Sequence, residues 1–142
     1  MSAFNSGYTR MLINICKSRL FSIFDANEML PIIKRIFAKH ESNIAKALAD
    51  QRFFISTFAP QDRINECDRR VERELIQCAT KLTKLGLKTF GDGYVGFDNG
   101  YGYYSFRNGE QTVQYFHGYM IDPHVNRVKL PERYLDEAKG VI

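Results

Sequence analysis

The apolar residues of this chain change their spacing between Leu85 and Leu87, and that change restricts the fold more than any other feature of the sequence. Before it, Ala26, Met29, Leu30, Ile33, Ile36, Phe37, Ile44, Ala47, Leu48, Phe54, Ile55 and Phe58 recur with the roughly 3.6-residue period of a one-sided helix. After it, aromatic and β-branched residues alternate with a period of about two between clusters of Gly, Asn and Asp, which is the pattern of short strands and turns. Helices first and strands afterwards, without interleaving, predict an α+β fold.

Local signals place the elements. Ser22 followed by Asp25 reads as a capping box that opens a helix, and Pro31 then kinks it or marks a restart. Ala59-Pro60-Gln61 breaks the pattern, and Asp62 is a candidate cap for a second helix carrying Ile64, Cys67, Val71, Leu75, Cys78, Leu82 and Leu85. Gly86 is the expected C-terminal cap. The economical arrangement is a long antiparallel helical hairpin over residues 22–86.

Residues 87–118 then read as a small antiparallel β-meander with turns at Gly91-Asp92-Gly93, Asp98-Asn99-Gly100 and Asn108-Gly109. A two-residue type I′ turn at Asn108-Gly109 would set Arg107 opposite Glu110, Ser105 opposite Thr112, Tyr104 opposite Val113 and Tyr103 opposite Gln114. In that register Tyr104, Phe106, Val113, Tyr115 and His117 share the face that covers the helices. Residues 119–142 follow as a C-terminal loop and a short helix opened by Pro131-Glu132 and running to about Ala138. Residues 1–19 lack a pattern and are expected to form a flexible segment, within which Met11 is an alternative start. Residues 20–142 are expected to make one domain, in keeping with a chain of 142 residues and 44% hydrophobic content.

Composition excludes several classes of protein. Cys16, Cys67 and Cys78 are odd in number and widely spaced, so the sequence suggests neither a disulfide framework nor a structural zinc site, and reduced thiols in a cytoplasm fit best. No apolar run is long enough for a membrane span. The net charge of +4 belongs to the helical part, where residues 1–85 hold 14 Lys and Arg against 9 Asp and Glu. Arg63, Arg69, Arg70 and Arg73 make a basic stretch, but Glu66, Asp68, Glu72 and Glu74 interleave with them as on a solvated helix face. The aromatics concentrate instead after residue 85, so a basic groove with stacking rings is absent and nucleic acid is not an expected partner.

Phe21-Ser22-Ile23-Phe24-Asp25-Ala26-Asn27-Glu28-Met29-Leu30-Pro31 resembles the opening of the bacterial family filed as "domain of unknown function 2203", whose members begin Phe-Ser/Thr-x-x-Glu-Ala-Asn-x-x-Leu-Pro. The resemblance continues at Leu85-Gly86, Gly93 to Phe97, Gly109-Glu110 and Tyr115-Phe116-His117, and covers most of residues 20–127. Glu110, His117 and Arg127 are retained, whereas Gly96 stands where that family has Asp, Ser105-Phe106 where it has Cys-Trp, and Phe116 where it has Trp. The resemblance implies no established activity. It does imply that any polar site using an Asp at position 96 would be incomplete here.

The candidate ligand- or partner-binding residues are Tyr103, Arg107, Glu110, Tyr115, His117 and Arg127. His117 is either a hydrogen-bonded residue closing the sheet or an acid/base group near Asp122 and His124. A metal held by His117, Asp122 and His124 matches no compact ligand spacing, and no cofactor is expected. Arg107 and Glu110 flank a turn and are expected to pair, so Arg107 can bind an anion only if Glu110 turns away. Cys67 and Cys78 share the apolar seam of the second helix and are expected to be inert. No nucleophile elbow, phosphate loop or catalytic carboxylate pair is recognisable. The favoured expectation is a non-catalytic binding or assembly module that self-associates as a homodimer. The alternative is a small-molecule binder or enzyme with its site around His117.

Overall fold

The capping box at Ser22 opens the first described helix; the computed structural model describes residues 19–138, so the expectations for residues 1–18, including Met11 and Cys16, lie outside it. Ser22 Oγ accepts the Asp25 amide at 3.0 Å and Asp25 Oδ2 accepts the Ser22 amide at 3.3 Å, which opens helix α1 (Ile23–Glu28). Met29 separates it from α2 (Leu30–Ser56), with Pro31 in the first turn where a missing amide costs nothing. Pro31 thus restarts the helix. After Thr57–Pro60 the chain reverses into α3 (Gln61–Lys84), with Phe58 in the left-handed region at φ 55°. The cap of α3 differs from expectation: Pro60 occupies that position without a side-chain bond, and Asp62 lies in the first turn near the positive helix end. At the other end the Leu87 amide reaches the Leu82 carbonyl and the Gly86 amide the Thr83 carbonyl, a Schellman closure.

Five antiparallel strands follow in sequence order: β1 (Lys88–Gly91), β2 (Tyr94–Asp98), β3 (Gly102–Arg107), β4 (Tyr115–Gly118) and β5 (Val128–Lys129). A short helix, α4 (Glu132–Ala138), completes the α+β fold. β5 has only two residues, too few to give a periodic signal.

The β3–β4 register corrects the sequence expectation. Tyr103 faces His117, Tyr104 faces Phe116 and Ser105 faces Tyr115, a shift of three residues. The Asn108-Gly109 turn does close, with the Glu110 amide on the Arg107 carbonyl at 2.9 Å. However, only Gly109 has positive φ, 107°, as in a type II turn, whose twist splays the strands it joins. The chain therefore leaves the ladder and is drawn onto the helices: Asn27 Oδ1 accepts the Val113 amide at 2.9 Å, and Lys34 Nζ donates to the Gln111 carbonyl at 2.8 Å. An odd shift exchanges faces. Tyr115 and His117 consequently lie on the face away from the helices, while Val113 reaches the core from the loop.

That core joins Phe21, Ile23, Ala26, Leu30, Ile33 and Phe37 to Leu82, Leu87, Val95, Phe97 and Phe106. Ile23, Ile33, Phe97 and Phe106 are fully buried, each stabilising the fold by roughly 1.5–3 kcal/mol relative to exposure. From α2 the core takes nothing beyond Phe37, and from α3 nothing before Cys78. The outer part of the hairpin is held by its own seam, including buried Ala47 and Cys67.

Candidate functional site

The sheet face turned away from the helices carries every sequence-derived candidate that lies on a strand, and it divides into two groups. In the first, Tyr103 and His117 are cross-strand neighbours with ring centroids 5.4 Å apart. Phe90 stands edge-on to both, at 5.4 and 5.0 Å, and Tyr119 closes on Tyr103 at 5.2 Å. Gly96 lies beneath them, and a Cβ there would approach the Tyr103 ring to 2.9 Å and Phe90 to 3.0 Å. Two aromatic rings thus fill the space of a side chain at position 96.

His117 is 2% exposed. Its Nδ1 contacts the Gly118 carbonyl at 3.0 Å, and its Nε2 has no hydrogen-bond partner among the described residues. Burial pushes its pKa below the usual histidine value, against the pull of the Gly118 and Ile121 backbone. The ring is therefore a neutral member of an aromatic layer. Tyr119 donates to Asp98 Oδ1 at 2.6 Å, and that bond pushes its phenol up to about 12.

In the second group, Arg127 forks onto Glu110, with Nη1 to Oε1 at 3.1 Å and Nη2 to Oε2 at 2.8 Å. Its guanidinium lies 4.1 Å from the Tyr115 ring centroid and 5.1 Å from that of Tyr94. Glu110 Oε1 also accepts the Arg107 backbone amide at 2.7 Å. The Arg107 guanidinium is left over Tyr94 at 4.9 Å, with no carboxylate partner among the described residues. The expected Arg107–Glu110 side-chain pair is thus replaced by Arg127–Glu110. His124 bridges Asp122 and Asp92 at 2.7 and 3.2 Å, which carries the loop after β4 across to the β1–β2 turn. Its nitrogens are thereby occupied, and no group of three or more His, Cys, Asp and Glu side chains suited to a metal occurs among the described residues.

A cleft of about 660 Å³ opens between the hairpin and the turn end of the sheet. Phe37, His40, Glu41, Ile44, Leu75 and Cys78 form its helical wall, and Asp92, Gly93 and Arg107 to Glu110, with Arg127, form the other. Three sequence candidates, Arg107, Glu110 and Arg127, line it. Tyr103 lines a separate cleft of about 450 Å³, and Tyr115 and His117 line neither.

His40 escaped the sequence reading, and Glu74, read there as part of a solvated helix face, turns instead toward His40 with its side chain 20% exposed. His40 is 2% exposed, and its Nδ1 lies 2.7 Å from Glu74 Oε1, which also accepts from Asn43 at 3.0 Å. The bonds from Asn43 and His40 hold the Glu74 carboxyl below its ordinary value. With Nδ1 engaged by that carboxylate, Nε2 is left buried without a partner among the described residues. Such an orphan costs about 1–3 kcal/mol. The signal available in the sequence was position: His40 sits seven residues from both Ile33 and Ala47, and Glu74 seven from Cys67, so both occupy an apolar seam.

The cysteines of that seam differ. Cys67 is buried, whereas Cys78 is half-buried at the cleft and burial pushes its thiol up, away from the reactive thiolate. On the outer surface, Glu66 holds Arg69 and Arg73 at 2.8 and 2.9 Å, and Asp50 holds Arg70 at 2.9 Å. Three of the four arginines in the basic stretch therefore have acidic partners.

Family models, curated proteins and solved structures were each searched for similarity to this chain, and none matches. No helix among the described residues is long and apolar enough to cross a membrane.

Proposed function

We propose that this protein is a self-associating assembly module of the cytoplasm, and that two copies pair through the outer part of the helical hairpin. One observation carries this reading. Phe37, Ile44, Leu48 and Ile55 follow one another at intervals of seven, four and seven residues along α2, so they share one helix face. Only Phe37 is buried; Leu48 and Ile55 are 39% and 55% exposed, and Leu75 on α3, which lines a cleft with Phe37 and Ile44, is 57% exposed. Phe53 and Phe58 extend the apolar surface at the tip. An apolar stripe running away from the core on two long helices suits a second hairpin, which would complete a four-helix arrangement.

A module of this kind needs no reacting group. Membership of the resembled bacterial family is part of the same proposal, and the motif that carries it has structural uses: Ser22 caps, Asn27 fastens the Val113 loop and Phe21 packs edge-on to Phe97 at 5.3 Å. Sedimentation equilibrium of the whole chain tests the reading. A dimer at micromolar concentration, converted to a monomer with unchanged helix content by Leu48→Glu together with Ile55→Glu, is the expected result. A wild-type monomer at that concentration overturns it.

A further inference from the structure

The charged side chains along the cleft are matched in pairs, with two exceptions. Asp92 engages His124, and Glu110 engages Arg127. Arg107, at the end of β3, and Glu41, on α2, have no ion-pair partner among the described residues. They carry opposite signs on opposite walls, yet they do not bridge the cleft to each other. Next to Glu41 in sequence, His40 lines the same cleft, and its Nε2 is buried without a partner among the described residues.

We propose that this cleft binds a free amino acid with an apolar side chain. The guanidinium of Arg107 offers the planar fork that receives a carboxylate with two hydrogen bonds. An ammonium group carries three donors and no acceptor, so it needs what the helical wall supplies, the Glu41 carboxylate. Phe37, Ile44 and Leu75 supply the apolar surface for the side chain. A simple anion would leave Glu41 unanswered and would be repelled by it; a simple cation would leave Arg107 in the same position. A zwitterion answers both. The volume of about 660 Å³ falls within the range of small-molecule sites and admits a side chain the size of leucine or phenylalanine.

The inference does not depend on self-association. Because Ile44 and Leu75 border both surfaces, the test uses the whole chain and, in parallel, the Leu48→Glu, Ile55→Glu variant. Each protein is titrated with L-leucine and L-phenylalanine, and with the N-acetyl acid and the amide of each, while its amide NMR spectrum is followed. Saturable shifts around Glu41, Arg107 and Gly109 are expected with the free amino acids, and at least tenfold weaker binding with either blocked derivative. Arg107→Gln and Glu41→Gln change exposed side chains, so each should keep the melting temperature while weakening binding at least tenfold. Equal binding of the N-acetyl acid would mark a plain carboxylate site and overturn the proposal. So would the absence of saturable shifts at millimolar amino acid, or full binding by both variants.

Discussion

Glu110 turns both carboxylate oxygens to the guanidinium of Arg127, seventeen residues further along the chain, and gives the nearer Arg107 only a bond to its backbone amide. The pair is largely buried, with 14% and 25% of the Arg127 and Glu110 side chains exposed. It fastens the segment before β5 to the β3 turn. Glu110→Gln is therefore expected to lower unfolding stability by about 1–3 kcal/mol, since it weakens charge-assisted bonds and leaves the Arg127 guanidinium half-paired between two rings. A denaturant midpoint unchanged from wild type would contradict this.

Asn27 fixes the loop that the hairpin register left unpaired. Its Oδ1 accepts the Val113 amide and its Nδ2 donates to the Ile23 carbonyl at 3.0 Å. Asn27→Ala strands a part-buried amide, so a loss of about 1–3 kcal/mol and faster hydrogen exchange at Val113 are expected. Asn27→Asp keeps the acceptor and should retain most of the protection there.

This contact also marks where sequence reasoning stopped. The cap at Ser22, the restart at Pro31 and the closure after Leu85 depend on residues within one turn of each other, and all three were legible. The β3–β4 register depends on Asn27 binding Val113 across 86 residues, which no local turn rule contains. His40 and Glu74 are similar. His40 looks like an interruption of its apolar seam and Glu74 like part of a solvated face, and only the facing of the two helices makes them a hydrogen-bonded pair.

Position 96 offers a test of how this sheet differs from the resembled family. Phe90 and Tyr103 already occupy the space where a Cβ would project. Gly96→Asp should therefore destabilise the protein by about 1–3 kcal/mol through overpacking. Adding Phe90→Ala should recover part of that loss, and a strictly additive double variant would disprove the contact as its cause.

His117 predicts a pH dependence with a definite sign. Burial lowers its folded pKa below the unfolded value of about 6.5, so the unfolded chain binds a proton that the folded chain refuses. Its contribution is complete above that unfolded value and is lost as the pH falls toward and through the folded one. Glu66, Glu74 and Asp122, also lowered by their partners, add their losses further down, below their ordinary values of 4.5, 4.5 and 3.8. Thermal stability should therefore begin to fall on going from pH 7 to pH 5, and His117→Phe should flatten that part of the profile. A wild-type profile level from pH 7 to pH 5 would refute the assignment.

The His40–Glu74 pair separates structural from functional use of a polar group in a helix seam. A pair kept for stability should be better than hydrocarbon at the same positions. One kept as part of the cleft wall should not be, because the orphaned nitrogen and the loss of hydration both oppose folding. Replacing either member alone leaves the other poorly paired, so His40→Leu and Glu74→Leu should each lower the melting temperature or leave it unchanged. Combined, they remove both polar groups and extend the apolar seam, and the double variant is expected to melt above wild type while losing whatever the cleft binds. If the double variant melts lower than both single variants, the pair is a structural fastening and His40 owes its place to the hairpin alone.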